Sequence, residues 1–129
     1  MKSKERRLQL AFLVGAVVDA IATIPMLVPL VANLLWGFTN FSGEYFFAMG
    51  MGASLMIGWT LLLLWAYQKP AERRFVALLT LVVILGIMTT GILAAATGVV
   101  SIPLMIPTWL LQGILLGLFS GTYLGSKNL

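Results

Sequence analysis

Four apolar stretches, at about residues 8–28, 45–67, 75–97 and 103–124, hold between them one Asp, Glu, Lys or Arg side chain, Asp19. Each is long enough to cross a hydrocarbon layer of ~30 Å as a helix rising about 1.5 Å per residue. The 129 residues are 60% hydrophobic and 9% charged, and a soluble domain of that size needs more charge to cover its surface. These features predict an all-α fold, a four-span transmembrane helical bundle in a single membrane domain, with the lipid bilayer as its first partner.

The net charge of +4 resembles a nucleic-acid signal until the charges are placed. Lys2, Lys4, Arg6, Arg7, Lys69, Arg73, Arg74 and Lys127 all fall on one side of the four-span scheme, and the other two connections carry none. Cytoplasmic loops hold the Lys/Arg excess of membrane proteins. The expectation is a multi-pass protein of the cytoplasmic membrane with both termini cytoplasmic and no nucleic-acid partner.

The first apolar run continues to Phe38, too long for one perpendicular crossing. Pro25 and Pro29 divide it, because a proline removes a helical donor and clashes with the preceding turn. Residues 25–38 then read as a kinked helix or as an interfacial segment anchored by Trp36, Phe38 and Phe41. Val18-Asp19-Ala20 has small residues at signal-cleavage-like positions, but apolar character resumes at once, which favours an uncleaved first span.

Small residues recur four apart in every span. Gly113, Gly117, Gly121 and Gly125 do so in the fourth, Gly50, Ser54 and Gly58 in the second, Gly86, Thr90 and Ala94 in the third. In the first span the series is Ala11, Gly15, Asp19 and Thr23. Residues four apart share a helix face, and small-xxx-small faces let helices approach closely in lipid. Gly50, Gly58, Gly113, Gly117 and Gly121 are therefore expected to pack helices in glycine-zipper fashion, within the chain or in a homo-oligomer.

Asp19 is the chemically informative residue. A carboxylate inside a span is costly unless it is paired, protonated or wetted. Counting from Leu8 puts it about 16 Å into the bilayer, near the middle. Ser54, Thr90 and Gln112 then lie at a similar depth and form candidate partners. Trp59 sits inside its span, and its indole N–H needs an acceptor from a neighbouring helix or a ligand. An internal echo suggests another depth. AVVDAIATIPMLVP at 16–29 and AAATGVVSIPLMIP at 94–107 share an Ile-Pro followed by a second proline. A duplicated hairpin would align Asp19 with Thr97, near the outer surface.

The chain contains no cysteine and no histidine. That removes disulfides, thiolate nucleophiles, the commonest metal ligand and the usual general base near neutral pH. No phosphate-cradling glycine loop or paired-carboxylate site can be drawn. No catalytic residue, metal site or cofactor is expected.

DAIATIPMLVP and YFFAMGMGASLMIGWTLLLLWAYQKPAERR resemble a group of small four-helix prokaryotic membrane proteins with no assigned activity. That likeness implies four spans and no chemistry. Gly15-Ala16-Val17-Val18-Asp19 is similar in style to the first helix of the small multidrug resistance transporters, whose own acid is a glutamate. That second likeness implies proton-linked transport. This chain departs from those proteins in its proline positions and in its one-sided charge.

Three functional expectations follow. The first is a non-enzymatic bundle binding an apolar small molecule or a partner membrane helix, with Asp19, Trp59 and Gln112 at its polar contact. The second is a small proton-linked transporter using Asp19. The third is a membrane enzyme acting on a lipid.

Overall fold

The computed structural model describes residues 2–128. Five helices follow one another: α1 (Lys2–Leu27), α2 (Pro29–Trp36), α3 (Gly43–Gln68), α4 (Phe75–Ala96) and α5 (Ile102–Gly125). Among the described residues there is no strand. Four of the helices are long and apolar enough to cross a membrane, and the chain is an all-α, four-span transmembrane bundle. At eight residues α2 is about 12 Å long and cannot cross.

Local chemistry sets the boundaries. The residue before a proline is pushed out of the helical region, and Val28, before Pro29, has φ −110° and ψ 107°. This single extended residue separates α1 from α2, so the run breaks into two helices at Val28 and is not one kinked helix. Pro25 is accommodated inside α1. Gly37 ends α2 in the left-handed conformation at φ 76°, and its N–H donates to the Asn33 carbonyl at 2.8 Å. Ser42 caps α3, its Oγ accepting from the Tyr45 N–H at 3.2 Å. The first span begins earlier than its apolar run, because the basic segment from Lys2 onward is already helical.

The helices form a ring with one unclosed seam. α1 packs along α3, α4 packs along α5, and α1 also packs on α5, while α3 and α4 barely approach each other. Side-chain bonds fix the antiparallel pairings. Gln9 Nε2 donates to the Tyr67 carbonyl at 3.0 Å, joining the start of α1 to the end of α3. Arg74 donates to Ser126 Oγ at 3.2 Å and to the Tyr123 carbonyl at 3.0 Å, joining the start of α4 to the end of α5. These contacts gather the basic segments at one end of the bundle.

The packed core occupies the half of the bundle nearer that basic end. Leu8 and Phe12 of α1, Leu63 of α3, Ala77 of α4 and Phe119 of α5 are fully buried there. Outside, Phe47 and Leu55 are 72% and 73% exposed, a surface that suits lipid and not water.

The glycine faces expected to pack do not pack within the chain. A Cβ added at Gly50, Gly58, Gly113, Gly117 or Gly121 would meet no other atom within 4 Å. On α5 the inward positions are Leu115 and Phe119, and Gly117 lies about 200° around the helix from either. Within the four long helices the close approaches occur at Gly15, Gly52 and Gly91 instead. A Cβ there would lie 2.6 Å from Phe119 Cζ, 2.5 Å from Met26 Cε and 3.0 Å from Met105 Cε respectively.

Candidate functional site

The half of the bundle away from the basic end is hollow. A cavity of about 380 Å³ lies between the helices, lined from all five of them. Ile84 and Leu115, members of the packed core, form its floor, and Trp36, Phe38 and Val100 line it at the end that carries α2. Trp36 Nε1 donates to Thr108 Oγ1 at 3.3 Å, tying α2 to α5 across that end. The Trp36 and Phe38 rings stand 5.6 Å apart and the Phe38 and Tyr45 rings 6.0 Å apart. Of these rings, Trp36 and Phe38 line the cavity itself.

The wall is mostly apolar and adaptable. Met26, Met49, Met56 and Met105 contribute flexible thioether chains that fit irregular shapes. Set into this wall are Asp19 of α1, Thr90 of α4 and Gln112 of α5. The Thr90 hydroxyl donates to the Gly86 carbonyl at 3.0 Å, which leaves its oxygen free to accept. Gln112 Oε1 is buried without a hydrogen-bond donor. Among the described residues the one ion pair is Lys69 with Glu72, at 3.6 Å, so no cation neutralises Asp19. The polar part of the cavity is therefore rich in acceptors, a carboxyl group, an amide oxygen and a hydroxyl oxygen, and the Gln112 amide adds an NH2 donor beside them.

The loosely packed seam between α3 and α4 runs alongside the cavity. Trp59 Nε1 donates to Thr80 Oγ1 at 3.1 Å and bridges the seam at its basic half. Farther along, Met56 on α3 and Ile87 and Thr90 on α4 line the cavity, and Ile87 and Thr90 are also exposed.

Of the five candidate polar residues, the fold brings Asp19, Thr90 and Gln112 to one cavity and leaves two outside it. Ser54 is exposed, and its hydroxyl donates to the Gly50 carbonyl at 2.8 Å, the local bond that serine makes in helices. Trp59 spends its indole N–H on Thr80 and closes the seam instead of lining the cavity. The alignment of Asp19 with Thr97 has no structural counterpart. Residues 16–29 are the second half of α1 and its exit, whereas 94–107 leave α4, turn at Gly98 and enter α5. Thr97 terminates α4, while Asp19 lies eight residues before the end of α1.

Sequence reasoning gave Trp36 only an anchoring role and missed Thr108, which lines the cavity, and Trp109, which does not line it. Trp109 Nε1 is buried without an acceptor, and it lies 3.1 Å from where a Cβ would stand on Gly91. Its sequence signal was its place three residues before Gln112, one turn along the same helix face. No known family model, curated protein or solved structure matches the chain, so its site is read from its own residues.

Proposed function

We infer that the chain is a non-enzymatic protein of the cytoplasmic membrane that holds a bilayer-dissolved amphiphile in its central cavity, with both termini on the cytoplasmic side. One observation carries the reading: Asp19, Thr90 and Gln112 line a single, largely apolar cavity that adjoins the loosely packed α3–α4 seam, the route by which a ligand would enter from the bilayer. A volume of about 380 Å³ is within the usual range for small-molecule sites.

The chemistry of the wall selects the ligand. A molecule arriving from the bilayer is already in an apolar medium, so the methionine-rich wall supplies fit and little driving force. Discrimination then comes from the polar contact. Asp19, the Thr90 oxygen and Gln112 Oε1 all accept hydrogen bonds, so the ligand carries a donor head group, such as an alcohol or an amine, on an apolar body. An anionic head group would meet the Asp19 side without a cation to hold it.

The test is a titration of the protein in nanodiscs with decanol, decylamine and decanoate, read by tryptophan fluorescence. The reading requires saturable binding of the donor-headed probes in preference to decanoate, weakened by Gln112→Leu. Equal partition of all three probes, unchanged by that substitution, would overturn it.

A second reading, proton-linked transport through Asp19, draws support from the absence of a cationic partner for that acid among the described residues. Uptake into vesicles under an imposed proton gradient separates transport from binding.

A further inference from the structure

The basic end of the bundle holds a second cavity with different chemistry, of about 320 Å³. Several basic residues at this end are already committed. The Arg73 guanidinium stacks over the Trp65 ring at 3.8 Å and donates to the Trp65 carbonyl. Arg74 stacks over the Tyr123 ring at 4.3 Å and holds the end of α5. Lys69 is paired with Glu72. Lys2 and Arg6 have no carboxylate partner among the described residues.

Lys2 and Arg6 are one turn apart on α1, and both line this cavity together with Glu5, Gln9, Leu10 and, across from them, Tyr67 of α3. The Gln9–Tyr67 bond at 3.0 Å holds its two walls together. The lining is graded, from two cations at the tip of the bundle to Leu10, which is 49% exposed. Below Leu10 the same face of α1 continues as an exposed apolar stripe, Val14, Val17 and Ile21, at 43%, 50% and 59% exposure. These positions follow the helical spacing i, i+4, i+7 and i+11, so they form one track down the helix.

We propose that this cavity binds the phosphate of an anionic phospholipid, with one acyl chain lying along the Leu10–Ile21 track. Arg6 offers a planar fork that matches two phosphate oxygens, and Lys2 adds a point charge beside it. Basic pockets between membrane helices at this level are built for anionic head groups. Glu5 shares the cavity and opposes the phosphate, so the site is tuned below its maximum strength. The ligand arrives from the bilayer leaflet at the basic end. The site is separate from the central cavity and does not depend on what that cavity holds.

The experiment counts lipids retained by the detergent-solubilised protein in native mass spectrometry, with phosphatidylglycerol and phosphatidylcholine offered in competition. Phosphatidylglycerol should be retained preferentially. Arg6→Gln and Lys2→Gln should each weaken its retention about fivefold. Lys4→Gln removes the same charge from outside the cavity and should change it less than twofold. Glu5→Gln should strengthen retention, and Glu72→Gln, an equal charge change elsewhere, should not. Inorganic phosphate in excess should leave the lipid bound, because it has no chain for the Leu10 track. Equal losses for Arg6→Gln and Lys4→Gln would reduce the effect to diffuse charge and overturn the site. Displacement of the lipid by inorganic phosphate would overturn the lipid assignment. Any of these exposed variants that fails to fold is replaced in the comparison by Glu5→Gln, whose effect has the opposite sign.

Discussion

The Phe119 ring of α5 fills the place where Gly15 of α1 has no side chain: a Cβ at Gly15 would stand 2.6 Å from Phe119 Cζ and 3.3 Å from Leu63 Cδ1. Phe12 lies beside the same ring, with centroids 6.3 Å apart. Three helices meet at this point. Gly15→Ala gains about 1 kcal/mol of helix propensity but forces a rigid ring out of a packed core, at a cost of about 1–3 kcal/mol. The expected result is net destabilisation in a reversible denaturation assay, partly relieved in the double variant Gly15→Ala with Phe119→Leu. Gly117→Ala is the control. Its Cβ would meet nothing, so no loss is expected.

The bond from Trp59 Nε1 to Thr80 Oγ1 predicts an asymmetry. Thr80 also donates to the Val76 carbonyl at 2.7 Å, so its hydroxyl uses both its donor and an acceptor site. Thr80→Val keeps the shape and strands the indole N–H, a loss of about 1–3 kcal/mol. Thr80→Ser keeps both bonds and should lose less. Equal destabilisation by the two substitutions would show that the bond does not hold the seam.

The relative level of Asp19, Thr90 and Gln112 along their helices was legible in the sequence, and rotation about each helix axis was not. Apolar runs and terminal charges marked four crossings, and counting about 1.5 Å per residue put Asp19, Thr90 and Gln112 at one level. Pro29 marked the break that the structure places at Val28. The inward face is a different matter. In a soluble helix the apolar side marks the core, but lipid is as apolar as the bundle interior, so that contrast disappears. The spacing of Gly113, Gly117 and Gly121 identified a face without saying which way it turns. Ser54 was given the right level for a cavity residue and the wrong azimuth, and it faces outward. Trp59 needed an acceptor, as its indole requires, and which neighbour supplied it was not encoded in its own stretch.

Gly117→Leu follows from the same geometry. The open space around Gly117 admits a leucine without disturbing the chain's own packing. The monomer should keep its thermal stability within about 0.5 kcal/mol. If the glycine face joins two copies in the membrane, the substitution should shift assembly toward monomer in cross-linking. A large stability loss in a monodisperse monomer would contradict the open face. Leu115→Ile, at a buried position, conserves volume and calibrates the assay.

The one-sided placement of Lys and Arg predicts the membrane orientation. The chain has no cysteine, so single cysteines can be introduced without a background. An impermeant thiol reagent added outside intact cells should label a cysteine at Gly43 and miss one at Lys69 or one inserted after Leu124. Outside labelling at Lys69 would invert the scheme.

Asp19 decides between holding a ligand and moving one. Asp19→Asn keeps the shape of the side chain and removes its ionisation, and Asp19→Leu removes the polar contact as well. Binding alone requires a hydrogen-bond acceptor, which the asparagine carbonyl still supplies. Under that reading Asp19→Asn should weaken decanol binding in nanodiscs by less than tenfold, whereas Asp19→Leu should weaken it further. Proton-linked transport requires a group that gains and loses a proton within the cavity. Under that reading Asp19→Asn abolishes gradient-driven uptake in vesicles while folding and binding survive. The two variants must be compared in protein of unchanged thermal stability, so that loss of activity is not loss of fold. Uptake that persists in Asp19→Asn would remove the carboxyl group from any transport cycle. Absence of gradient-driven uptake in the unaltered protein, with decanol binding intact, would leave the central cavity as a binding site alone.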